Sequence, residues 1–142
     1  MKNFLFMALL LVSSMVYADE TLVPNKILDV GNDVKTVSIM VGTDEDHLVN
    51  LVVPRSMVKE GAEAANVDAI CYNGRGNMFL NSPKYKAAAR LKFNKLDRKK
   101  KFAEIEVEAR LVNVEQRKFI SIPTTRLKIT GKQFANLVAK KR

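Results

Sequence analysis

His47 is the only histidine in the chain and Cys71 the only cysteine, so between them they bound the side-chain chemistry on offer. His47 follows closely on Asp44 and Asp46, and the three could ligate a metal at one turn. Metal centres need three or four converging ligands and further groups to orient them. This cluster stands alone, and a solvated acidic turn leading into a strand accounts for it. A Cys71–His47 pair, or His47 with a hydroxyl such as Ser56, would make a small hydrolase. That requires the base within hydrogen-bond reach of the nucleophile and a third group orienting it, and no spacing in the chain brings them together. Cys71 lies in the apolar run Asp68–Ala69–Ile70–Cys71–Tyr72, where a small buried hydrophobe is expected.

Glu104, Glu106 and Glu108 recur at every second position, so one strand points all three the same way. Acid–base catalysis needs carboxylates whose surroundings drive their pKa values apart; Arg90 and Lys92 are expected to neutralise these. Gly74–Arg75–Gly76 is too short for a phosphate loop, which leads a strand into a helix; it reads as a turn. No cofactor motif is present, and the expectation is a non-enzymatic protein.

Basic residues carry the strongest polar signal. Arg98, Lys99, Lys100 and Lys101 are consecutive at a hairpin tip, supported by Lys128 and by the final Lys140, Lys141 and Arg142. The chain has a formal net charge of +9. Such an excess favours acidic partners, here a lipid headgroup, a polysaccharide or an acidic protein surface, although a solvated loop also accounts for charges at a tip. Phe93 and Phe102, the aromatics near this tip, are expected to face the core. That argues against nucleic acid, whose single-stranded forms are held on exposed stacking rings.

The elements that must position these residues are mostly strands. Ala87, Ala89, Leu91 and Phe93 alternate with polar neighbours, as do Ala103, Ile105, Val107, Ala109 and Leu111. Period-two alternation of this length predicts a hairpin with one buried and one wet face. Placing Leu96 opposite Phe102 sets Lys92 across from Glu106 and Arg90 across from Glu108, pairs that contribute roughly 0.2–1 kcal/mol each. Strands are also predicted at 34–41, 47–53, 67–72, 77–80, 117–122 and 126–129, with Pro123 marking an edge or a bulge. Thr21 to Asn32 reads as an extended lead-in. Ser56 to Asn66 reads as a short mid-chain helix or irregular crossover, and Gly131 to Lys140 as a helix capped by Thr130 with an apolar stripe at Phe134, Leu137 and Val138. The fold class expected is therefore mainly β: an antiparallel meander of about seven strands forming a small barrel or curved sheet, with a short mid-chain helix and a C-terminal helix.

Residues 1–18 have the layout of a secretory signal peptide: Lys2 near the start, an apolar run from Phe4 to Val12, and small residues at Val16 and Ala18. Cleavage is expected between Ala18 and Asp19. The run is too short to span a bilayer core of about 30 Å as a retained anchor, and no second apolar run is long enough, so no membrane span is expected afterwards. The remaining 19–142 form one β-rich domain, and loss of Lys2 with the leader lowers the net charge from +9 to +8. One thiol makes no internal disulfide, so packing must carry stability. The function expected is an exported, periplasmic binding module for an anionic envelope component or a protein partner. An immunity or inhibitor protein that blocks a partner enzyme is the alternative, and a hydrolase using His47 the second.

Overall fold

The structure, a computed structural model, describes residues 17–140; the expected leader lies outside them except for Tyr17 and Ala18. Ten strands form one sheet: β1 (Ala18–Thr21), β2 (Lys26–Asn32), β3 (Thr36–Asp44), β4 (His47–Pro54), β5 (Glu63–Ala64), β6 (Asp68–Asn73), β7 (Met78–Leu80), β8 (Ala88–Asp97), β9 (Phe102–Asn113) and β10 (Lys118–Thr130), followed by helix α1 (Gly131–Val138). Their order is β1-β10-β9-β7-β6-β4-β3-β2, with β8 also on β9 and β5 on β8. All pairings are antiparallel except that of β1 with β10. The class is the expected one, mainly β and curled into a half-barrel with a C-terminal helix. The strand count is ten rather than about seven, because the lead-in is itself paired and the irregular segments add short strands.

Alternation decides the core. Val37, Ile39 and Val41 on β3, Val49, Leu51 and Val53 on β4, and Leu91 and Phe93 on β8 all point inward and are buried. Ala103, Ile105, Val107 and Leu111 do the same from β9, with Ile120, Ile122 and Ile129 from β10. Among the described residues no polar or charged residue is fully buried, so hydrophobic packing is the cohesive force. Cys71 belongs to this core and is free. Burial pushes its thiol up to about 12, with the charge of Glu20 adding to the effect. Thiolate is the reactive form, so native protein at pH 8 should react with a thiol reagent at least about a hundredfold more slowly than denatured protein. Because the folded pKa is raised, the thiol favours the native state below the unfolded value, and that contribution falls away as pH rises from about 9 toward 12. Unfolding melts between pH 8 and 11, compared with Cys71→Ala, measure this.

The β8–β9 hairpin shows how register is set. Asp97 pairs with Phe102, Leu96 with Ala103 and Lys95 with Glu104, one residue out of step with the expected Leu96–Phe102 pairing. A bulge between Phe93 and Lys95 then absorbs one residue. Beyond it Lys92 faces Glu106 and Arg90 faces Glu108, the pairing the charge pattern predicts. A one-residue slip would otherwise bury the charges, and Asn94 is the residue displaced to prevent it.

Two expectations about helices change. The mid-chain helix is absent: Arg55–Met57 is a single 3-10 turn, and Glu63–Ala64 pair with β8 instead. Gly61 lies between them at φ +82°, a left-handed conformation that stops a right-handed helix. The C-terminal helix is present but ends at Val138, and Thr130 makes no side-chain cap. Phe134 and Leu137 are buried in the core, and α1 packs on β2, β9 and β10. Gln133 Nε2 donates to the carbonyl of Ile27, and Asn136 Nδ2 to that of Val30, each at 3.2 Å. The free edge of β2, a pairing hazard if left bare, is thus covered by side-chain amides. Among the described residues no helix is long and apolar enough to cross a membrane.

Candidate functional site

Most hairpin turns lie at one or other end of the half-barrel, one of mixed charge, where Arg75, Arg117 and Lys118 stand among the acids, and the other mainly basic. At one lie the β3–β4 turn with Asp44, Glu45 and Asp46, the start of β1 with Glu20, and the β9–β10 turn with Glu115. At the other lie the β8–β9 tip with Arg98, Lys99, Lys100 and Lys101, the β2–β3 turn with Lys35, and helix α1 with Lys132.

The basic tip is built by its own turn. Asp97 Oδ1 accepts the amide of Lys100 at 2.8 Å, and Lys101 adopts φ 58° to enter β9. The carboxylate is spent on the backbone, and the four cations are exposed. Arg98 and Lys101 reach the side of α1, where with Gly131, Phe134, Ala135 and Val138 they line an open depression of about 320 Å³. The floor is apolar and the rim cationic. Among the described residues no ion pair involves Arg98, Lys99, Lys100 or Lys101, so their charge faces outward.

The remaining basic candidates are dispersed. Lys128 stands on the outer face of β10, its Nζ 5.8 Å from the centre of the Phe102 ring. Phe102 is therefore half-exposed on the wet face, while Phe93 is buried as expected. Lys140 follows the far end of α1, and Lys141 and Arg142 lie outside the described residues. The C-terminal end of the helix is held by side chains from distant parts of the chain. Asn32 Nδ2 donates to the carbonyl of Ala139 at 2.8 Å, and Arg55 also bonds that carbonyl as well as Asn32 and the carbonyl of Asp33. This clasp had no sequence signal, since Arg55 sits in an irregular segment far from α1 in the chain. Nor did the depression, because a helical stripe does not say which of its residues stop short of the core. Phe134 and Leu137 are interior, whereas Ala135 and Val138 meet solvent.

His47 Nδ1 donates to Asp44 Oδ1 at 2.8 Å, and the same oxygen accepts the amide of Asp46 at 2.8 Å. These bonds hold the Asp44 carboxyl below the usual carboxylate range, the imidazole contributing most. Ser56 lies beyond the opposite end of β4 from His47, about 25 Å away at roughly 3.3 Å per residue. Cys71 points into the core, and among the described residues no hydrogen bond joins it to His47. No group of three His, Cys, Asp or Glu among the described residues converges as metal ligands.

Glu106 and Glu108 on β9 are laced to arginines, but among the described residues Glu104 makes no ion pair and Lys92, expected to neutralise the row, joins none, Arg126 taking its place. Arg90 Nη1 lies 3.2 Å from Glu106 and 3.3 Å from Glu63, and its Nη2 is 3.7 Å from Glu108. Arg126 Nε lies 3.1 Å from Glu106. Hydrogen bonds from Arg126, then Arg90, hold the Glu106 carboxyl below its ordinary value. The three glutamates keep one face of the sheet hydrated and in register, as the alternation implied.

Compared with protein families, with curated proteins and with solved structures, the chain matches none.

Proposed function

We propose that this protein is an exported, periplasmic binding module whose basic end takes an anionic envelope component, a lipid headgroup or polysaccharide, or an acidic protein surface. One observation carries the reading: Arg98 and Lys101 rim an apolar depression on α1, so positive charge and apolar contact meet at one place. Exposed cations bring in an anionic ligand from about 8–10 Å at physiological salt, and the apolar floor formed with Ala135 and Val138 gives it something to rest on. Turn-apex Lys99 and Lys100 widen the field without entering the depression.

Export follows from residues 1–18 and bears on the fold. Tyr17 packs against Tyr85 and Phe119, ring centres 5.8 and 5.3 Å away. Cleavage after Ala18 removes it and leaves Asp19–Thr21 to hold β1 against β10. Intact-mass measurement of protein from the periplasmic fraction should find Asp19 as the first residue; uncleaved protein in the cytosol would overturn the reading.

Binding is tested by changing Arg98, Lys99, Lys100 and Lys101 together to Ser. The melting curve should barely move, because substitutions at an exposed turn shift stability by about 0.5 kcal/mol or less. Binding to anionic vesicles, to acidic polysaccharide or to a partner recovered from envelope extract should weaken at least about tenfold at low salt and lose most of its salt dependence. Which of the three responds identifies the ligand. Unchanged affinity for a ligand the wild type binds would reduce the tip to a solvated loop.

A further inference from the structure

Away from the basic end, the outer face of the sheet changes character. Ile70, Tyr72, Met78, Leu80 and Val114 are 37–45 % exposed, unusual for side chains of their size. Register brings four of them together, since Ile70 faces Leu80 and Tyr72 faces Met78 across the β6–β7 pair. Leu80 stands as a ridge between two depressions, one of about 460 Å³ beside Met78, Val112 and Val114, the other of about 360 Å³ beside Asn50, Val52 and Ile70. The side-chain oxygen of Asn50 is buried and has no hydrogen-bond partner. At the two ends of the stripe stand Asp68 and Arg75, both exposed and in no ion pair among the described residues. Where the outer face of β8, β9 and β10 is laced with charge, this part is apolar, with Asp68 and Arg75 at its two ends and Glu115 at its side beside Val114.

We propose that this face docks a second copy of the chain, sheet on sheet, about a two-fold axis running across the strands. Such an axis lays β6 antiparallel on the β6 of the other copy, at the roughly 10 Å spacing of packed sheets. Centred between Ile70 and Tyr72, it sets the Ile70–Leu80 row of each copy on the Tyr72–Met78 row of the other. It also places Asp68 of each copy beside Arg75 of the other, twice, as a self-complementary interface requires. The Tyr72 hydroxyl of the second copy comes into the row of Asn50, supplying the donor that buried oxygen lacks. The Leu80 ridge of one copy finds a depression of the other to enter. A second copy, rather than an unrelated partner, is singled out because the apolar rows and the opposite charges map onto themselves under a single operation. The basic tip lies at the other end of β8 and β9 and stays free, so this inference does not rest on the function proposed above.

The stripe is small beside the roughly 800 Å² per partner of a standard stable interface, so association should be weak, with a dissociation constant of about 10–100 µM. Sedimentation velocity of the purified protein from about 1 to 500 µM should show monomer giving way to dimer. Leu80→Lys should remain monomeric throughout with an unaltered circular-dichroism spectrum, since the side chain is outside the core. Asp68→Arg and Arg75→Asp should each weaken association about tenfold or more, and the double variant should restore it. Wild-type protein that stays monomeric at the highest concentration overturns the proposal. So does dimerisation that survives Leu80→Lys, or a double reversal no better than either single one; monomer with some other molecule held on the stripe would give the face to a different occupant.

Discussion

Gly42→Ala should cost about 3 kcal/mol of stability and lower Tm by about 10 °C, a large effect for one methyl group. Gly42 is buried near the end of β3, paired with Leu48 just before the β3–β4 turn. A Cβ there would lie 2.2 Å from the carbonyl oxygen of His47, 2.7 Å from the Leu48 Cα and 2.9 Å from the Leu48 Cβ. The first two obstacles are backbone, and relieving them means moving β4 away from β3. That would loosen the Val41–Val49 pairing beneath and the His47–Asp44 bond at the turn. Gly31→Ala is the internal control: its Cβ would meet the Ser38 hydroxyl at 2.5 Å, but a hydroxyl can swing to another rotamer. A difference of at least about 2 kcal/mol between the two variants in chemical unfolding is the expected result. Equal losses would mean that β4 shifts freely and that the close approach at Gly42 is not a constraint.

That contrast shows why parts of the fold are visible in the residues and parts are not. Alternation is a local signal, so β8 and β9 announce themselves, and the charges on their wet faces fix which residues oppose. The slip at Leu96 and its correction at Asn94 cannot be read locally, because turn geometry sets the first pairs and charge pairing the later ones. β2 was hidden by Pro24, Gly31 and Asn32, which signal loop. It is nonetheless a strand, because β3 on one side and the amides of α1 on the other satisfy its backbone. Between Ser56 and Asn66 the irregular crossover rather than the helix is realised, although Met57, Val58, Ala62 and Ala65 fall at helical spacing, because Gly61 takes a positive φ and the segment finds strand partners in β8. At the candidate site the cations of the tip were legible as a run of charge. Their contact with α1 was not, since Lys101 and Gly131 are far apart in sequence and only the fold brings them together. The outer apolar stripe escaped for a related reason: Ile70, Tyr72, Met78 and Leu80 look like core until the sheet's curvature assigns their face to solvent.

Phe134→Ala should cost about 3–5 kcal/mol out of a total stability of about 5–15 kcal/mol. Phe134 and Leu137 are the two side chains by which α1 enters the core. An eight-residue helix with no side-chain cap has little stability of its own, since isolated helices shorter than about 12–15 residues are marginal in water. Packing therefore holds it in place, and truncating Phe134 removes the larger of its two anchors. The helix should detach locally before the sheet melts, freeing the edge of β2 that Gln133 and Asn136 cover. Hydrogen exchange should show lost protection over 131–138 and over 27–31, while β8 and β9 keep theirs. The same variant separates structure from recognition, because the depression beside Arg98 and Lys101 exists only while α1 is docked. If the basic end binds its ligand through that depression, affinity should fall with helix docking although all four tip cations remain. Val138→Ser, which leaves Phe134 and Leu137 in place, should weaken binding while shifting Tm by only a few degrees. Binding that survives Phe134→Ala intact would show that the tip acts by charge alone and that the helix serves only to close the half-barrel.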